Sequence, residues 1–278
     1  MDLGTYGLWT GGRALSVEER PAAARLAEDL GFKTLWFGGS PRLTEMRPLL
    51  EATERLIVAT GIVSIWHYEP AELAAEYAEL ERDFPGRLLV GLGVAHPENT
   101  ANYAKPLATM AAFLDGLDGS AGAGVSVPKE RRCVAALGPK MLDLSASHSW
   151  GTHPYFSPVA HTRFARERLG AGPLLAPELS CVVGDDPGRA RARAFASFYL
   201  GITNYVTNLK RFGFSDAEIE GAADRLIDEI VPQGSPETIA AVARAHIEAG
   251  ADHVCVQAVG VSGFPRAEWT ALAGALLG

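Results

Sequence analysis

The stretch PGRLLVGLGVAHPEN, Pro85 to Asn99, decides how this chain is read. It opens on a turn, runs through Arg87-Leu-Leu-Val-Gly-Leu-Gly93 almost without a polar side chain, and becomes polar at His96. A strand that is apolar at nearly every position has both faces covered, as in a parallel sheet wrapped by helices. Gly91 and Gly93 match the first two glycines of a dinucleotide fingerprint, but that motif needs a third where His96 stands and a helix opening at once. The polar, proline-closed PENTANYAKP follows instead. The run therefore ends as the rim of a strand and not as a phosphate-gripping turn.

The pattern recurs outward from there. KTLWFGG (Lys33 to Gly39), RLIVATG (Arg55 to Gly61) and RCVAALG (Arg132 to Gly138) also begin with a cation, continue apolar and close on glycine. LGTYGLW at the start, GTHPYF, GPLLAPELSCVVG and DHVCVQAVG add further strands. Between them, helical spacing appears over Val17 to Leu30, Pro70 to Phe84, Leu107 to Leu117, Pro139 to Ser147, Pro158 to Leu169, Pro187 to Leu200 and Pro236 to Ala249. Proline opens several of these, where its missing N–H costs nothing. Eight alternating β and α units, with no linker or composition shift, predict one α/β domain over residues 1–278, an eight-stranded parallel (β/α) TIM barrel. A helical insertion at about 204–231 precedes the last strand. It reads either as a cap on the mouth or as helices packed outside the barrel.

Composition narrows the function. The chain has 278 residues, is 47% hydrophobic and carries a formal charge of −8, which repels nucleic-acid phosphates and anionic lipid headgroups. No basic n-region with an apolar h-region opens the sequence, and no window reaches a membrane span, so the expectation is a cytoplasmic protein whose partner is a small molecule. Cys133, Cys181 and Cys255 lie far apart in apolar runs and read as buried free thiols.

Glycines at the carboxyl ends of parallel barrel strands serve tight turns or admit a ligand close to the backbone, and that rim is where such barrels place their sites. Just beyond the strands stand Trp9, Ser40, Trp66, His67, His96, Asn99, Lys140 and Gln257, a set suited to a flat conjugated ligand with hydrogen-bonding edges. The helix start at Gly138-Pro139-Lys140 offers N–H groups and an ammonium to an anion, although Lys140 equally fits an exposed first-turn lysine. No metal-ligand spacing and no G-x-S-x-G elbow occurs, so no metal is expected, and the chemistry calls for an organic cofactor.

The blocks YGLW, AARLAEDLGFKTLWFGG, Ile57 to Asn99, AALGPKMLDLSA, HPYFSPVAHTRFARERLGAGPLLAPE and EAGADHVCVQ resemble, in order and spacing, the luciferase-like monooxygenase superfamily, above all its branch that uses the deazaflavin coenzyme F420. The resemblance implies an eight-stranded barrel, a homodimer, and a ring-shaped cofactor at the strand carboxyl ends. It implies a non-prolyl cis peptide at Gly61-Ile62 behind that ring. It places cofactor contacts on Val94, Ala95, His96 and Asn99 and on Ala135, Ala136, Leu137 and Gly138; Lys140 joins them only from the helix-start reading above, as a partner for a cofactor phosphate. The implied reaction is hydride transfer at the deazaflavin C5, with His96 or His67 moving a proton and Trp9, Ser40, Trp66 and Tyr155 facing substrate. For His96 the alternative duty is a hydrogen bond to the cofactor.

The chain also departs from the family pattern. Gly38-Gly39-Ser40 stands where many relatives carry an acidic residue or a histidine, His96 where some carry a carboxylate, and Trp150 where an aspartate is common. Two other functions stay open at this stage, an FMN-dependent monooxygenase and a non-catalytic flavin- or deazaflavin-binding protein.

Overall fold

A computed structural model describes every residue except 12–13, 102, 121–124 and 185–187. Its strands are β1 (Tyr6–Gly11), β2 (Thr34–Gly38), β3 (Ile57–Thr60), β4 (Val63–Ser64), β5 (Leu88–Gly93), β6 (Arg132–Val134), β7 (Gly151–Thr152), β8 (Leu174–Leu175), β9 (Glu178–Val183), β10 (Gln233–Gly234) and β11 (Val254–Ala258). The named pairings are all parallel, in the order β10-β9-β11-β1-β2-β3-β5-β6-β7-β8, with β4 also on β5. The two ends of that order meet through the chain itself. Residues 174–183 pair with β7 through β8 and with β11 through β9, which closes the sheet into a barrel. Pro177 separates β8 from β9, and β3 and β4 are likewise one stave broken at Gly61-Ile62, the peptide bond that is cis.

The helices are α1 (Arg20–Asp29), α2 (Arg47–Glu51), α3 (Pro70–Asp83), α4 (Pro106–Gly119), α5 (Pro139–His148), α6 (Val159–Leu169), α7 (Gly188–Tyr199), α8 (Thr203–Arg211), α9 (Asp216–Glu220), α10 (Asp224–Ile230), α11 (Pro236–Glu248) and α12 (Arg266–Leu277). Proline sits in the first turn of α1, α2, α3, α4, α5 and α11. The expected helix from Pro187 begins among residues outside the described set. The apolar runs alternate between two cores, as strand side chains must. Leu35 and Phe37, Leu88 and Val90, and Val254 and Val256 pack outward under the helices. Trp36, Leu89 and Cys255 point inward with Trp9, Ile57, Ala59, Cys133 and Ala176. All three cysteines are buried and free.

Three sequence expectations need correction. RCVAALG yields only a three-residue strand, because Ala135 to Gly138 leaves the sheet to form a loop before α5. GTHPYF contributes two paired residues, since Pro154 has no N–H to give to a ladder. GPLLAPELSCVVG divides at Pro177 for the same reason.

Candidate active site

A cavity of about 570 Å³ opens at the carboxyl ends of the strands, within the range of small-molecule sites. One side is a shelf of small residues and main chain: Ile62, Gly93 to His96, and Ala135 to Gly138. The break between β3 and β4 shapes it. At the gap Thr60 stands in for the missing strand, its Oγ1 accepting from Gly91 N at 2.8 Å and donating to Gly91 O at 2.9 Å. Ile62 then folds over Gly93, where a Cβ would lie 2.6 Å from Ile62 Cδ1. Glycine there lets the bulge and β5 approach each other.

The opposite wall is aromatic: Trp9 from β1, His153 and Tyr155 after β7, Tyr199 from α7 and Tyr205 from α8. Tyr155 Oη donates to Gln257 Oε1 at 2.9 Å and lies 2.9 Å from Tyr199 Oη, and its ring centroid is 5.4 Å from that of Trp9. Below them Glu178 is buried, and that burial pushes its carboxyl up to about 8. Gly38 and Gly61 make room for the Trp9 indole, since a Cβ on either would come within 2.5 Å of it.

The segment at 204–231 supplies part of the site. The start of α8 is held by Glu98, whose Oε1 accepts from Thr203 N at 2.9 Å and Thr203 Oγ1 at 2.6 Å. Those bonds hold the Glu98 carboxyl below its usual range. At its end Arg211 donates to Leu137 O at 3.3 Å. Between these clips α8 turns Asn204, Tyr205, Thr207, Asn208 and Arg211 into the cavity. Asn204 Nδ2 lies 3.3 Å from His96 Nδ1, and the His96 ring is 4.9 Å from Tyr205. With Asn204 donating to Nδ1, the neutral ring carries its hydrogen on Nε2. Burial lowers the His96 pKa, so the ring is uncharged at neutrality.

The structure brings Trp9, Ser40, Gly61, Ile62, His67, Val94, Ala95, His96, Asn99, Ala135, Ala136, Leu137, Gly138 and Tyr155 to this cavity. His67 is exposed at the outer rim, with Nδ1 3.5 Å from Ser40 Oγ. Three rim candidates lie elsewhere. Trp66 stands behind the shelf, because its indole Nε1 is spent on Val94 O at 2.6 Å and its ring packs on Tyr103. Lys140 is exposed on the first turn of α5, with Met141 in its place at the cavity wall. Gln257 acts through Tyr155 from outside the lining.

Sequence reading missed His153, Tyr199 and Tyr205. The histidine follows a two-residue strand and precedes a proline, and the two tyrosines come from helices whose inward face only the fold defines. Among the described residues no cluster of His, Cys, Asp or Glu has the form of a metal site, and no helix is long and apolar enough to cross a membrane.

The architecture agrees with comparison to known proteins. The family model for luciferase-like monooxygenase matches residues 2–253, and the chain belongs to that family. Over 89 residues it is 34% identical to the uncharacterized protein YwcH of Bacillus subtilis, a match covering 29% of this chain and only 27% of that protein. An F420-dependent secondary alcohol dehydrogenase, solved with an F420-acetone adduct, superposes with a TM-score of 0.76 at 15% identity, covering 98% of this chain and 97% of the other. The oxygenating constituent of 3,6-diketocamphane monooxygenase from Pseudomonas putida, in complex with FMN, superposes with a TM-score of 0.63 at 16% identity, covering 98% and 96%. At such identities the likeness is one of fold.

Proposed function

We propose that the chain is a coenzyme F420-dependent oxidoreductase acting on a small organic substrate. The observation that carries this reading is the shelf, an apolar surface of glycine, alanine and main chain along one side of the cavity, with neutral His96 at its edge. A flat ring fits such a surface, since no long side chain rises from Gly93, Ala95, Ala135 or Ala136. Gly138, whose Cβ position has nothing within 4 Å, leaves the end of the shelf open.

When bound, the deazaflavin supplies the carbon that takes or gives a hydride. The chain's own groups do the rest. Gly61 and Ile62 back the ring. Main-chain groups of Val94, Ala95 and Ala135 to Leu137 meet its edges. His96 offers Nε2–H as a hydrogen-bond donor, and His67 sits where a proton can pass to solvent. The aromatic wall excludes water from the reacting face.

Absorbance titration of the purified protein with F420 and, separately, with FMN tests the assignment. The expected result is saturable F420 binding at least about tenfold tighter than FMN, a difference of about 1.4 kcal/mol. Tighter FMN binding overturns it in favour of a flavin monooxygenase. Tight F420 binding with no hydride exchange from any donor leaves a binding protein instead.

A further inference from the structure

The loop that follows β5 meets the start of α8 at two points. Glu98 reaches Thr203 and His96 reaches Asn204, across 105 and 108 positions of sequence. The first contact replaces something that the local sequence lacks. The residue before α8 is Ile202, which has no side-chain oxygen for the first-turn N–H groups, and no capping bond forms there. Glu98 brings the acceptor from another part of the chain. Its Oε1 takes Thr203 N at 2.9 Å and Thr203 Oγ1 at 2.6 Å, and a carboxylate suits the positive end of a helix.

The second contact lies at the cavity. Asn204 Nδ2 donates to His96 Nδ1 at 3.3 Å, and the next residue, Tyr205, sets its ring 4.9 Å from the imidazole. A nitrogen that accepts carries no hydrogen, so the neutral ring holds its hydrogen on Nε2. His96 is half-buried and lines the cavity, and among the described residues its Nε2 has no hydrogen-bond partner. Burial keeps the ring uncharged at neutrality.

The two contacts act in series. Asn204 is one peptide beyond Thr203, so the clip on Thr203 sets where the amide stands. The rest of α8 is fastened independently: Tyr205 and Leu209 are buried in an apolar cluster, and Arg211 Nη1 donates to Asn208 Oδ1 at 3.0 Å and to Leu137 O at 3.3 Å. Loss of the clip therefore frees the first turn and leaves the helix.

We infer that Glu98 is a positioning residue: by holding the first turn of α8 it keeps Asn204 on His96, and so fixes the ring in the form that donates from Nε2. A neutral imidazole in that form polarises an oxygen placed against it. It takes no proton there, because Nε2 already carries one. The consequence for chemistry, which rests on the function proposed above, is that His96 holds an acceptor oxygen in place and does not serve as base toward a hydroxyl. The tautomer itself rests on the two contacts.

The test is ¹⁵N NMR of the cofactor-free full chain labelled at histidine, at about pH 7.5, above the titration of a free histidine. His96→Gln assigns the His96 signals. In the wild type Nδ1 should resonate as the hydrogen-free nitrogen and Nε2 as the hydrogen-bearing one. Asn204→Asp exchanges a donor for an acceptor and should move the hydrogen to Nδ1. Glu98→Ala should bring the two signals toward each other, as the ring samples both forms. Glu98→Gln, whose carbonyl still accepts from Thr203, should restore their wild-type positions.

A purely structural role for Glu98 lowers stability and leaves these signals unmoved. The proposal is overturned if the wild-type hydrogen sits on Nδ1, if Asn204→Asp does not move it, or if Glu98→Ala leaves the His96 signals in place. It also falls if Glu98→Gln behaves like Glu98→Ala, since the effect would then be one of charge acting through space. Thr203→Ala removes the hydroxyl half of the clip and should shift the signals in the same direction by less; where Glu98→Ala does not fold, the absence of that shift overturns the proposal instead. Should the wild-type chain bind neither F420 nor FMN, the functional reading fails while the histidine signals still judge the role of Glu98.

Discussion

The two sides of the cavity are made of different material. The shelf is main chain, glycine and alanine, and its form comes from side chains that are absent. The opposite wall is Trp9, His153, Tyr155, Tyr199 and Tyr205, fastened by hydrogen bonds between residues far apart in sequence. The buried groups with large pKa shifts lie on or under the wall and among the outer helices. Near the shelf burial lowers His96, opposed by Glu98, the bonds from Thr203 lower Glu98, and burial lowers His161, whose Nε2 lies 3.1 Å from Leu137 O. The contrast teaches that one site can fail in two ways, by protonation on one side and by steric filling on the other.

Acid should act most strongly, through histidines buried inside the barrel and between its outer helices. His153 and His253 inside the barrel, and His161 and His246 between α6 and α11, are each lowered from 6.5 to about 4 by burial. As pH falls below 6.5 the unfolded chain takes up protons that the folded chain refuses. Stability is therefore lost between about 6.5 and about 4, at about 1.4 kcal/mol per pH unit for each histidine. Glu178 works in the opposite sense. Its folded value is raised from 4.5 to about 8, so the stability it contributes is present below 4.5 and is lost as pH rises to about 8. The four histidines outweigh it on the acid side and it acts alone above them, which places maximum stability near pH 6.5. A domain stable by about 5–15 kcal/mol then unfolds before all four histidines are protonated in acid. Urea denaturation across a pH series, followed by tryptophan fluorescence, checks this. A stability that is flat from pH 6.5 down to about 5 would remove the asymmetry between the two sides.

The next effect belongs to β5, the strand that leads into the shelf. A Cβ on Gly91 would lie 2.0 Å from Thr60 O, a main-chain atom locked beside the two bonds from Thr60 Oγ1. Gly91→Ala is expected to cost about 4 kcal/mol or more, because backbone and not a flexible side chain must yield. Within the shelf itself Gly138 has nothing within 4 Å of its Cβ position, and Gly138→Ala at the start of α5 should cost at most about 1 kcal/mol. Guanidinium denaturation midpoints separate the two variants. Similar losses would mean that the shelf is not built on missing side chains.

That difference also explains what the sequence could disclose. Gly91 and Gly93 were readable because steric exclusion leaves its mark at the residue itself, within a short apolar run. The barrel was readable because its strands are apolar on both faces, as Leu88 to Gly93 and Val254 to Ala258 are. The wall left no such mark. His153 is a lone histidine beside a proline until folding sets it against Trp36, 117 positions earlier, and leaves its Nε2 free. Tyr205 reaches the cavity only because Glu98, 105 positions away from Thr203, anchors α8. Lys140 and Trp66 misled for the converse reason. Their place in the chain suited a site, and the direction of each side chain was set by partners that local sequence does not show.

The smallest expected effect is the most direct test of whether the two sides are independent. Tyr155→Phe removes one oxygen from the wall and leaves the ring that packs on Trp9. The hydrogen bonds to Gln257 and Tyr199 go with it, at a cost of about 1–2 kcal/mol for neutral partners in a partly buried setting. The shelf touches none of these atoms. F420 affinity should therefore stay within about twofold of the wild-type value while the denaturation midpoint falls, since the lost bonds belong to the fold and not to the ring-binding surface. If F420 affinity instead drops tenfold, the wall sets the shape of the shelf through Trp9 and Gly61, and the cavity is one coupled unit instead of two surfaces that meet.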